Sequence, residues 1–490
     1  MNSKVLVSQN SFELKNQLNA LASGDFIPNL GILFTSDGKD SAEIIPLFSH
    51  NNIDLFGCSS REEIADEALY NQSIVTLLLD ISRNYYNMKY FYDENDISIG
   101  KEVGVWAYES FSNPVVLLLV GGSSITINGD RLLQGIFSVC DRLPLFGGLA
   151  SAVENIYETT LLDSENVYTQ GVLAIVFDND MVSLDGIAIS GWLEIGTPKR
   201  ITKSSGNIVY EIEGSPATAF YDKYFKIQAN SFDQFLASEY PISLMREDGT
   251  KVIRTAVSMD WNKQCVYYGG NIPEGSMVRF CSPNIVETID HTIEQLNIFK
   301  NMEKLRNTDA VILFECAIRS QSFGTYMQKE IQCIKELWDV PLVGFCSWGE
   351  IGNYQGERCD FHNTTLSMVT IQEKAPSQKL QTTTEYSSEK TVAFVENVFD
   401  DNSIEALERQ VQMLRKEKSM LSNFLHLTSD DLDVANREIK KEQEKSEHLL
   451  LNILPHPIAE RLKNGETTIA DSFSEATILF ADLVGFTKLS

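Results

Sequence analysis

Short apolar runs followed by segments at helical spacing recur along the first 370 residues. The runs at 30–36 (LGILFTS) and 309–317 (DAVILFECA) are rich in Ile, Leu, Val and Phe, as expected for strands covered on both faces. In the segment that follows the second run, Met327, Ile331 and Ile334 fall at helical spacing, with charges opposite. A strand, a helix and a second strand predict a parallel βαβ unit.

Each unit closes on a similar glycine-containing motif. The segments IDLFGCSSREEI (53–64) and VPLVGFCSWGEI (340–351) align with Gly57 on Gly344. A third copy lies between them, where PVVLLLVGG is followed by LPLFGG. Duplication is the economical explanation, and it predicts an α/β fold built from repeated units. The alignment pairs three further positions: Ser60 with Ser347, Glu63 with Glu350, and Ile64 with Ile351.

Polar residues follow the glycine in two of these motifs, at the expected carboxyl ends of strands. Open α/β sheets bind ligands at such ends, although a motif of this kind can also be only a packed turn. The carboxylate of Glu350 would grip a ligand's ammonium group or cap a following helix. The candidate ligand-binding residues are Ser59, Ser60, Cys346, Ser347, Glu350 and His362.

A thiol-dependent hydrolase is a rival interpretation of the same segment. Cys346 and His362 would then act as nucleophile and base, but no local signature supports the pair. The chain also has no GxxxxGK[ST] phosphate loop and no GxGxxG motif. His362 is better interpreted as a structural or ligand-contacting side chain.

Composition narrows the class of protein. A chain of 490 residues is expected to form two or more domains. Its 40 basic and 68 acidic side chains give a net charge of -28, which disfavours nucleic acid and membrane surfaces as partners. Without an apolar run of about 18 residues or a signal-peptide core, we expect a cytoplasmic protein. The eight cysteines form no CxxC pair, which argues against a zinc site or a disulfide framework.

Two longer segments carry a resemblance to a known family. GWLEIGTPKRITKSSGNIVYEIEGSPA (191–217) resembles the end of a FIST N domain. AVILFECAIRSQSFG, VPLVGFCSWGEI and FHNTTL resemble, in that order, a FIST C domain. The resemblance implies sensory domains at 1–225 and 226–375 that bind a small polar ligand such as an amino acid.

The composition changes after residue 375. Residues 376–402 are polar and lack apolar periodicity, so they are predicted to be a linker. Residues 403–453 contain neither Gly nor Pro and fit a seven-residue repeat, which predicts a long coiled-coil helix and a homodimer. The predicted seam positions are Ile404, Leu407, Val411, Leu414, Lys418, Leu421, Leu425, Thr428, Leu432, Ala435, Ile439, Glu442, Ser446, Leu449 and Ile453.

The last segment, 454–490, resembles the transducer and start of a class III nucleotide cyclase domain, which has an α+β, ferredoxin-like fold. ATILFADLVGFT delivers Asp482 at the end of an apolar run, and a carboxylate there suits Mg²⁺ or Mn²⁺. The turn containing Gly485 would present backbone N–H groups to a triphosphate. The resemblance implies two metal ions held partly by Asp482 and the Leu483 carbonyl. It also places Phe486 and Thr487 against the phosphates.

The interpretation that combines these features is an intracellular sensor that regulates a cyclase acting on ATP or GTP. In the cyclase family the catalytic site forms between two chains, which agrees with the predicted homodimer. The second metal ligand and the base-selecting residues would lie downstream, so we expect the sequence to be a fragment of a longer enzyme. The alternative is a non-catalytic signalling protein that binds a ligand and dimerises.

Overall fold

A computed structural model describes the fold of most of the chain. It covers residues 1–374 apart from 22–25, 37–40, 123–125, 153–157, 226–237, 247–248, 283, 303–306 and 354–358, and parts of residues 411–477. The chain divides into two compact units, Met1–Phe424 and Leu425–Ser490. Repeat units, sheets and the candidate site all belong to the first of these.

Residues 2–80 form the first repeat unit. Three strands alternate with two helices, then a short hairpin precedes a last strand that is buried. The elements are β1 (Asn2–Ser8), α1 (Ser11–Leu21), β2 (Leu30–Ser36), α2 (Ser41–His50), β3 (Asp54–Ser60), β4 (Glu63–Ala65), β5 (Ala68–Tyr70) and β6 (Ile74–Asp80).

Residues 86–178 form the second repeat unit, with the same order of elements. Helix α3 begins after Asn95, whose side chain accepts a hydrogen bond from the Ile97 N–H and so caps the helix. The elements are β7 (Tyr86–Phe91), α3 (Asp96–Ser110), β8 (Pro114–Gly121), α4 (Gly129–Phe137), β9 (Leu145–Leu149), β10 (Leu161–Leu162), β11 (Val167–Tyr168) and β12 (Gly171–Asp178).

Residues 182–373 form the third unit, which is interrupted after its first strand, β13 (Val182–Ile189). The interruption, residues 193–282, is called the inserted lobe. Its elements are β14 (Leu193–Ser205), β15 (Ile208–Ile212), β16 (Ser215–Pro216), α5 (Ala217–Phe225), β17 (Ile242–Met245), β18 (Lys251–Arg254), β19 (Ala256–Asp260), β20 (Cys265–Tyr268) and β21 (Met277–Ser282).

The third unit resumes with the long helix that follows the lobe. Its remaining elements are α6 (Ile285–Lys300), β22 (Ala310–Cys316), α7 (Ala317–Phe323), α8 (Thr325–Leu337), β23 (Leu342–Ser347), β24 (Glu350–Asn353), β25 (Cys359–His362) and β26 (Leu366–Glu373). In α8, Met327, Ile331, Ile334 and Leu337 are all buried, so the predicted helix and its apolar face are confirmed.

The three units exchange their hairpins in a cycle. The sheet orders are β1-β6-β2-β3-β10-β11, β7-β12-β8-β9-β24-β25 and β13-β26-β22-β23-β4-β5. In each sheet the first four strands come from one unit and the last two strands come from another. The first unit gives its hairpin to the third, the third to the second, and the second to the first. Each sheet thus depends on two stretches of chain that are distant in sequence.

The parallel strand pairs share one register. Leu33 lies opposite Gly57, Leu118 opposite Gly147, and Leu313 opposite Gly344. The three repeated βαβ units predicted from the sequence are therefore confirmed, together with their α/β class. One core contains apolar side chains from the sheets of all three repeat units, among them Phe34, Leu117 and Phe314, none of which is exposed.

Two ion pairs fix the inserted lobe to the repeat units. Arg254 is 1% exposed; its guanidinium donates to Asp130 at 2.8 Å and to the Phe361 carbonyl at 2.9 Å. Arg246 pairs with Asp360 through two hydrogen bonds of 2.5 and 3.0 Å. Because a guanidinium donates in a planar fork, these contacts set the orientation of the lobe as well as its position.

Only parts of the C-terminal region are described. Residues 436–451 are helical, and α9 (His456–Lys463) follows Pro455. The predicted linker, 376–402, lies outside the described residues, and the pairing of two coiled-coil chains stays a prediction. Among the helices described, none combines the length and apolar character that crossing a membrane would require.

Candidate functional site

A cavity of about 330 Å³ lies between the inserted lobe and the third repeat unit. The lobe contributes one wall from the start of β14, from β17 and from β18. The other wall comes from the link after β13, from α6, from the end of β25 and from Thr365, which follows β25. The lining residues are Ser190, Gly191, Trp192, Leu193, Glu194, Ser243, Lys251, Val252, Ile253, Glu287, His291, His362 and Thr365.

A second hollow, of about 520 Å³, surrounds Trp261. All of its lining residues come from the single hairpin between Ser258 and Tyr267, so it is a surface furrow. Walls drawn from several distant elements are more typical of a pre-formed ligand site. The cavity beside the lobe is therefore the better candidate, although its volume is smaller.

The lobe wall combines apolar side chains with an ion pair. The ammonium group of Lys251 lies 2.8 Å from the Glu194 carboxylate, which also accepts a hydrogen bond of 2.8 Å from Ser243. Burial works to raise the pKa of Glu194, but Lys251 and Ser243 outweigh it, so the pKa lies below its usual value. The carboxylate is thus ionised at neutral pH. The ammonium group of Lys251 has three N–H donors, so it can donate to a ligand in the cavity as well as to Glu194.

His362 lines the opposite wall as a neutral ring. Burial lowers its pKa to about 4, and its Nε2 lies 3.0 Å from the Gly352 carbonyl oxygen. Nε2 therefore carries the proton in this hydrogen bond, and Nδ1 is left as an acceptor. A neutral histidine suits hydrogen bonding to a ligand better than it suits holding a negative charge.

Directly behind this wall lies a fully buried carboxylate, Glu350. Ser347 donates to its Oε1 at 2.6 Å, and Thr365 donates to its Oε2 through the hydroxyl at 2.9 Å and the backbone N–H at 3.3 Å. Burial raises the pKa of Glu350 to about 8. Since Glu350 begins strand β24, the expectation that it caps a following helix is wrong.

The first repeat unit holds an equivalent cluster around Glu63. Its Oε1 accepts from Ser60 at 2.5 Å and from Ser36 at 2.6 Å, and its Oε2 accepts from the Ser73 N–H at 3.3 Å. Burial raises the pKa of Glu63 to about 7. The aligned serine and glutamate of the two sequence motifs thus form the same hydrogen bond twice. Among the residues described, this second cluster borders no part of the cavity.

At the equivalent positions of the second repeat unit, all of which the structure describes, the cluster is missing. Strand registers place Leu161 where the other units have glutamate, and Ala150 where they have serine. Gly171 stands in the position of Ser73 and Thr365. Leu161 and Ala150 are both fully buried. The same strand exchange is therefore compatible with an entirely apolar version of the site.

A buried ion-pair network reaches the cavity through Ser190. The Arg319 guanidinium donates to Glu315 at 2.7 Å, to Glu330 at 2.6 Å and to the Ser190 carbonyl at 2.8 Å. All three charged side chains are fully buried. Arg319 thus ties α7 and α8 to the link between β13 and the lobe, which forms the cavity wall.

The other sequence candidates lie within the fold. Ser59 donates to the Ser151 carbonyl at 2.9 Å and accepts from the Thr160 N–H. Cys346 is buried, and burial raises the pKa of its thiol well above the usual value, which is unfavourable for a nucleophile. Of the six candidates only His362 lines the cavity, and Ser347 and Glu350 are linked to it through Thr365. As ligand contacts all six stay predictions.

Sequence reasoning missed several lining residues. Trp192 lies in the link after β13, Lys251 in the lobe, and Glu287 and His291 on α6, and no repeat motif marks any of these segments. A weak signal existed for α6 alone, because Glu287 and His291 are four residues apart and so share one helix face. Nothing in the sequence pairs that face with Lys251.

The predicted metal and nucleotide residues cannot be placed in the structure. Asp482, Leu483, Gly485, Phe486 and Thr487 lie outside the described residues. The part of the chain that is described contains no group of three His, Cys, Asp or Glu side chains able to hold a metal ion. Carboxylate and backbone carbonyl oxygens, the predicted donors, are the ligand types that Mg²⁺ and Mn²⁺ prefer.

Comparison with known proteins supports the sensory segment. A model described as the FIST N domain matches residues 29–215, and one described as the FIST C domain matches residues 217–353. Together they cover more than half of the chain. The cavity takes Ser190 to Glu194 from the first match and Ser243 to His291 from the second.

Curated relatives match much shorter stretches. The chain is 56% identical over 50 residues to atrial natriuretic peptide receptor 2 of Rattus norvegicus, which is 10% of this chain and 5% of that protein. It is 38% identical over 72 residues to the receptor-type guanylate cyclase gcy-13 of Caenorhabditis elegans, 15% of this chain and 7% of that protein. It is 36% identical over 83 residues to atrial natriuretic peptide receptor 2 of Anguilla japonica, which is 17% of this chain and 8% of that protein. This chain thus spans less than a tenth of these relatives.

Proposed function

The chain belongs to the FIST family of sensor domains, and on that premise we propose that its cavity binds a small polar molecule. Binding there would regulate a class III nucleotide cyclase domain that begins near residue 454. Ligand binding is proposed from the cavity itself, whose walls combine residues of both matched domains. A cavity between a lobe and the repeat unit on which it packs can report occupancy as a change in how the lobe fits.

The lining groups favour a ligand with charges of both signs and an apolar part. Lys251 and the hydrogen-bond donors of the wall suit a carboxylate, and Glu287 suits an ammonium group. Trp192, Val252 and Ile253 offer apolar surface beside them. A volume of about 330 Å³ suits a small molecule. An amino acid has this combination of groups, so amino acids are the first ligands to test.

The test of binding is a thermal-shift screen of the purified chain against the proteinogenic amino acids. A ligand at a hundredfold excess over its dissociation constant should stabilise the fold by about 2.7 kcal/mol. Glu287→Gln should weaken that response, because it removes the carboxylate from the cavity. Asp290→Asn, a change on the same helix outside the cavity lining, is the matched control. If no amino acid moves the unfolding temperature, the ligand class is wrong.

The regulated half of the proposal is supported by the segment ATILFADLVGFT and by the similarity to relatives named guanylate cyclases. That similarity favours GTP over ATP as the substrate. Asp482 and the Leu483 carbonyl would hold Mg²⁺ or Mn²⁺, which activates the ribose hydroxyl and neutralises charge on the phosphates. Gly485, Phe486 and Thr487 would lie against the triphosphate, where backbone N–H groups can bind its oxygens.

Cyclase activity is tested on the full-length protein. Cyclic GMP should form in the presence of Mn²⁺, and Asp482→Asn should abolish most of it while the fold stays intact. A neutral amide is a far poorer ligand for a hard dication than a carboxylate of similar volume. Wild-type turnover in Asp482→Asn would show that the metal is held elsewhere. A complete lack of cyclic nucleotide would favour a non-catalytic signalling protein.

Dimerisation through the helical region is part of the same proposal. Five predicted seam residues in the described positions are exposed apolar side chains: Val411 (44%), Leu425 (72%), Leu432 (52%), Ile439 (56%) and Leu449 (56%). A stripe of this kind is stable in water only when it is covered, and a second copy of the same helix covers it by the heptad repeat. Ligand binding to the two sensor units of a dimer would then change how its two cyclase domains meet.

A further inference from the structure

One buried carboxylate lies a single hydrogen bond behind the cavity wall. We propose that Glu350 is a positioning residue of the cavity, and that its protonation decides whether the Thr365 hydroxyl donates to Glu350 or into the cavity. The proposal rests on the proposed function of the cavity as a ligand site. It adds a link between ligand binding and pH that the fold alone does not require.

The geometry of Thr365 provides the switch. Thr365 lines the cavity, and its hydroxyl donates to Glu350 Oε2 at 2.9 Å. A hydroxyl has one hydrogen, so while it donates to an ionised Glu350 it can only accept from a ligand. When Glu350 is protonated, the carboxyl O–H can donate to the Thr365 oxygen. The threonine hydrogen is then available to a ligand.

The surroundings of Glu350 favour its neutral form. The ionisable side chains that face it are Glu315 and Cys316 on β22, Arg319 on α7 and His362 opposite it on β25. Arg319, the one cation of this group, is already bonded to Glu315 and Glu330. Burial raises the pKa of Glu350 to about 8. At neutral pH the protonated form of Glu350 is therefore populated, and in that form the Thr365 hydroxyl can donate into the cavity, where it matches an acceptor such as a carboxylate oxygen.

The repeat units separate this role from a purely structural one. The second unit replaces Ser347, Glu350 and Thr365 by Ala150, Leu161 and Gly171 and still exchanges its hairpin. The first unit keeps the carboxylate, as Glu63, but its partner Ser73 does not line the cavity. The chain thus supplies a matched control: the same cluster at a distance from the cavity.

A ligand-free experiment tests the positioning directly. Thr365→Cys puts a thiol on the cavity wall, and its alkylation by iodoacetamide is followed from about pH 6.5 to about pH 9.5, against the parent protein as background. Above pH 8 an ionised Glu350 should oppose thiolate formation. Adding Glu350→Gln should then raise the alkylation rate about tenfold, the effect of one unit in the thiol pKa. Adding Glu63→Gln should leave the rate unchanged. Equal rates with and without Glu350 would overturn the proposal.

The amino-acid screen gives an independent readout. The affinity of the wild-type chain for the amino acid, obtained from the shift in unfolding temperature, should fall about tenfold from about pH 6.5 to about pH 9.5. That pH dependence should become about tenfold smaller in Glu350→Gln, which leaves only the titration of the ligand's own ammonium group, and should be unchanged in Glu63→Gln. If amino acids bind with the same pH profile in Glu350→Gln, this inference fails and the proposed function survives.

Failure of the proposed ligand class and failure of the positioning role of Glu350 give different results. If no amino acid binds but the alkylation rates differ as expected, the ligand class fails and the positioning role stands. Should Glu350→Gln not fold, the double variant Ser347→Ala, Glu350→Leu copies the arrangement of the second unit and takes its place in both experiments.

Discussion

The glycine shared by the three repeat units lies where two strands approach too closely for a side chain. A Cβ atom added to Gly57, Gly147 or Gly344 would lie 2.8, 2.1 or 2.4 Å from the carbonyl oxygen of the leucine opposite it. These contacts are with backbone atoms in paired strands, which cannot move aside cheaply. The motif therefore repeats because the same close approach occurs three times.

Gly344→Ala should consequently destabilise the fold. The added methyl group meets the Leu313 carbonyl at 2.4 Å, and we expect a loss of about 1–3 kcal/mol in the free energy of unfolding. Gly104→Ala is the graded control, because the nearest atom to its Cβ is 3.1 Å away and alanine favours a helix. Urea unfolding of both variants measures the difference. Equal stability of Gly344→Ala and the wild type would contradict the close approach.

The buried His362 makes a prediction about acid stability. Its pKa is about 4 in the folded chain, because burial disfavours the charged ring, against 6.5 for an exposed histidine. Between these values the unfolded state binds more protons, so the free energy of unfolding falls as the pH drops from 6.5 to 4. The histidine's share of this fall is about 3 kcal/mol at most.

His362→Gln should remove that share. Urea unfolding at about pH 7 and about pH 4.5 should show a smaller drop in stability for the variant than for the wild type. His50→Gln, a change at an exposed histidine, serves as the control. Parallel pH dependence of wild type and His362→Gln would mean that the ring is not held neutral.

At the scale of elements, the hairpins and the predicted helical seam differ in what covers their apolar faces. The hairpin β24–β25 adds to β9 of another repeat unit, and β4–β5 adds to β23. The exposed seam of the C-terminal helix has no such neighbour among the residues described within its own chain. A second chain is the partner that we propose for this apolar stripe.

Charges in that seam should prevent dimerisation. Replacing Leu432 and Ile439 by lysine would place two like charges per chain where the partner helix packs, and burying unpaired charge is costly. We expect the variant to sediment as a monomer at concentrations where the wild type is a dimer. Lys441→Glu and Glu444→Lys, at positions on the face of the helix opposite the seam, should leave the dimer intact. A wild-type chain that is itself monomeric at micromolar concentration would exclude the seam.

At the scale of the whole molecule, the two matched FIST stretches form one compact unit. Strand β13 of the first stretch pairs along its whole length with β26, which lies beyond the second. Strand β4 of the first pairs with β23 of the second, and β24 of the second pairs with β9 of the first. Neither stretch contains the complete set of strands for its own sheets.

Fragments separated after Pro216 should accordingly fail to fold alone. Each would expose buried strand edges and apolar faces that only the other fragment covers. Co-expressed, the two fragments should recover a stable complex, detectable by co-purification and by one cooperative thermal transition. Independent, cooperative unfolding of either isolated fragment would contradict the exchange of hairpins.

Local patterns in the sequence were sufficient to predict several helices and strands and to show that they form a repeated unit. Strands with apolar runs, the amphipathic helix α8 and the aligned serine–glutamate pairs were all visible, because side-chain periodicity and local hydrogen bonds depend on residues close in sequence. The resemblance to FIST domains followed from motifs in order. The candidate ligand residue His362 came from the FHNTTL segment that closes this resemblance.

Only the tertiary structure decided where these elements meet. Nothing local indicates that each hairpin joins the sheet of another unit, or that a lobe inserted after β13 returns to close a cavity over His362 and Thr365. Lys251 and His291 belong to one site because α6 and β18 pack across the same space, forty residues apart. Such contacts depend on shape complementarity between surfaces distant in sequence, and periodicity carries no information about them.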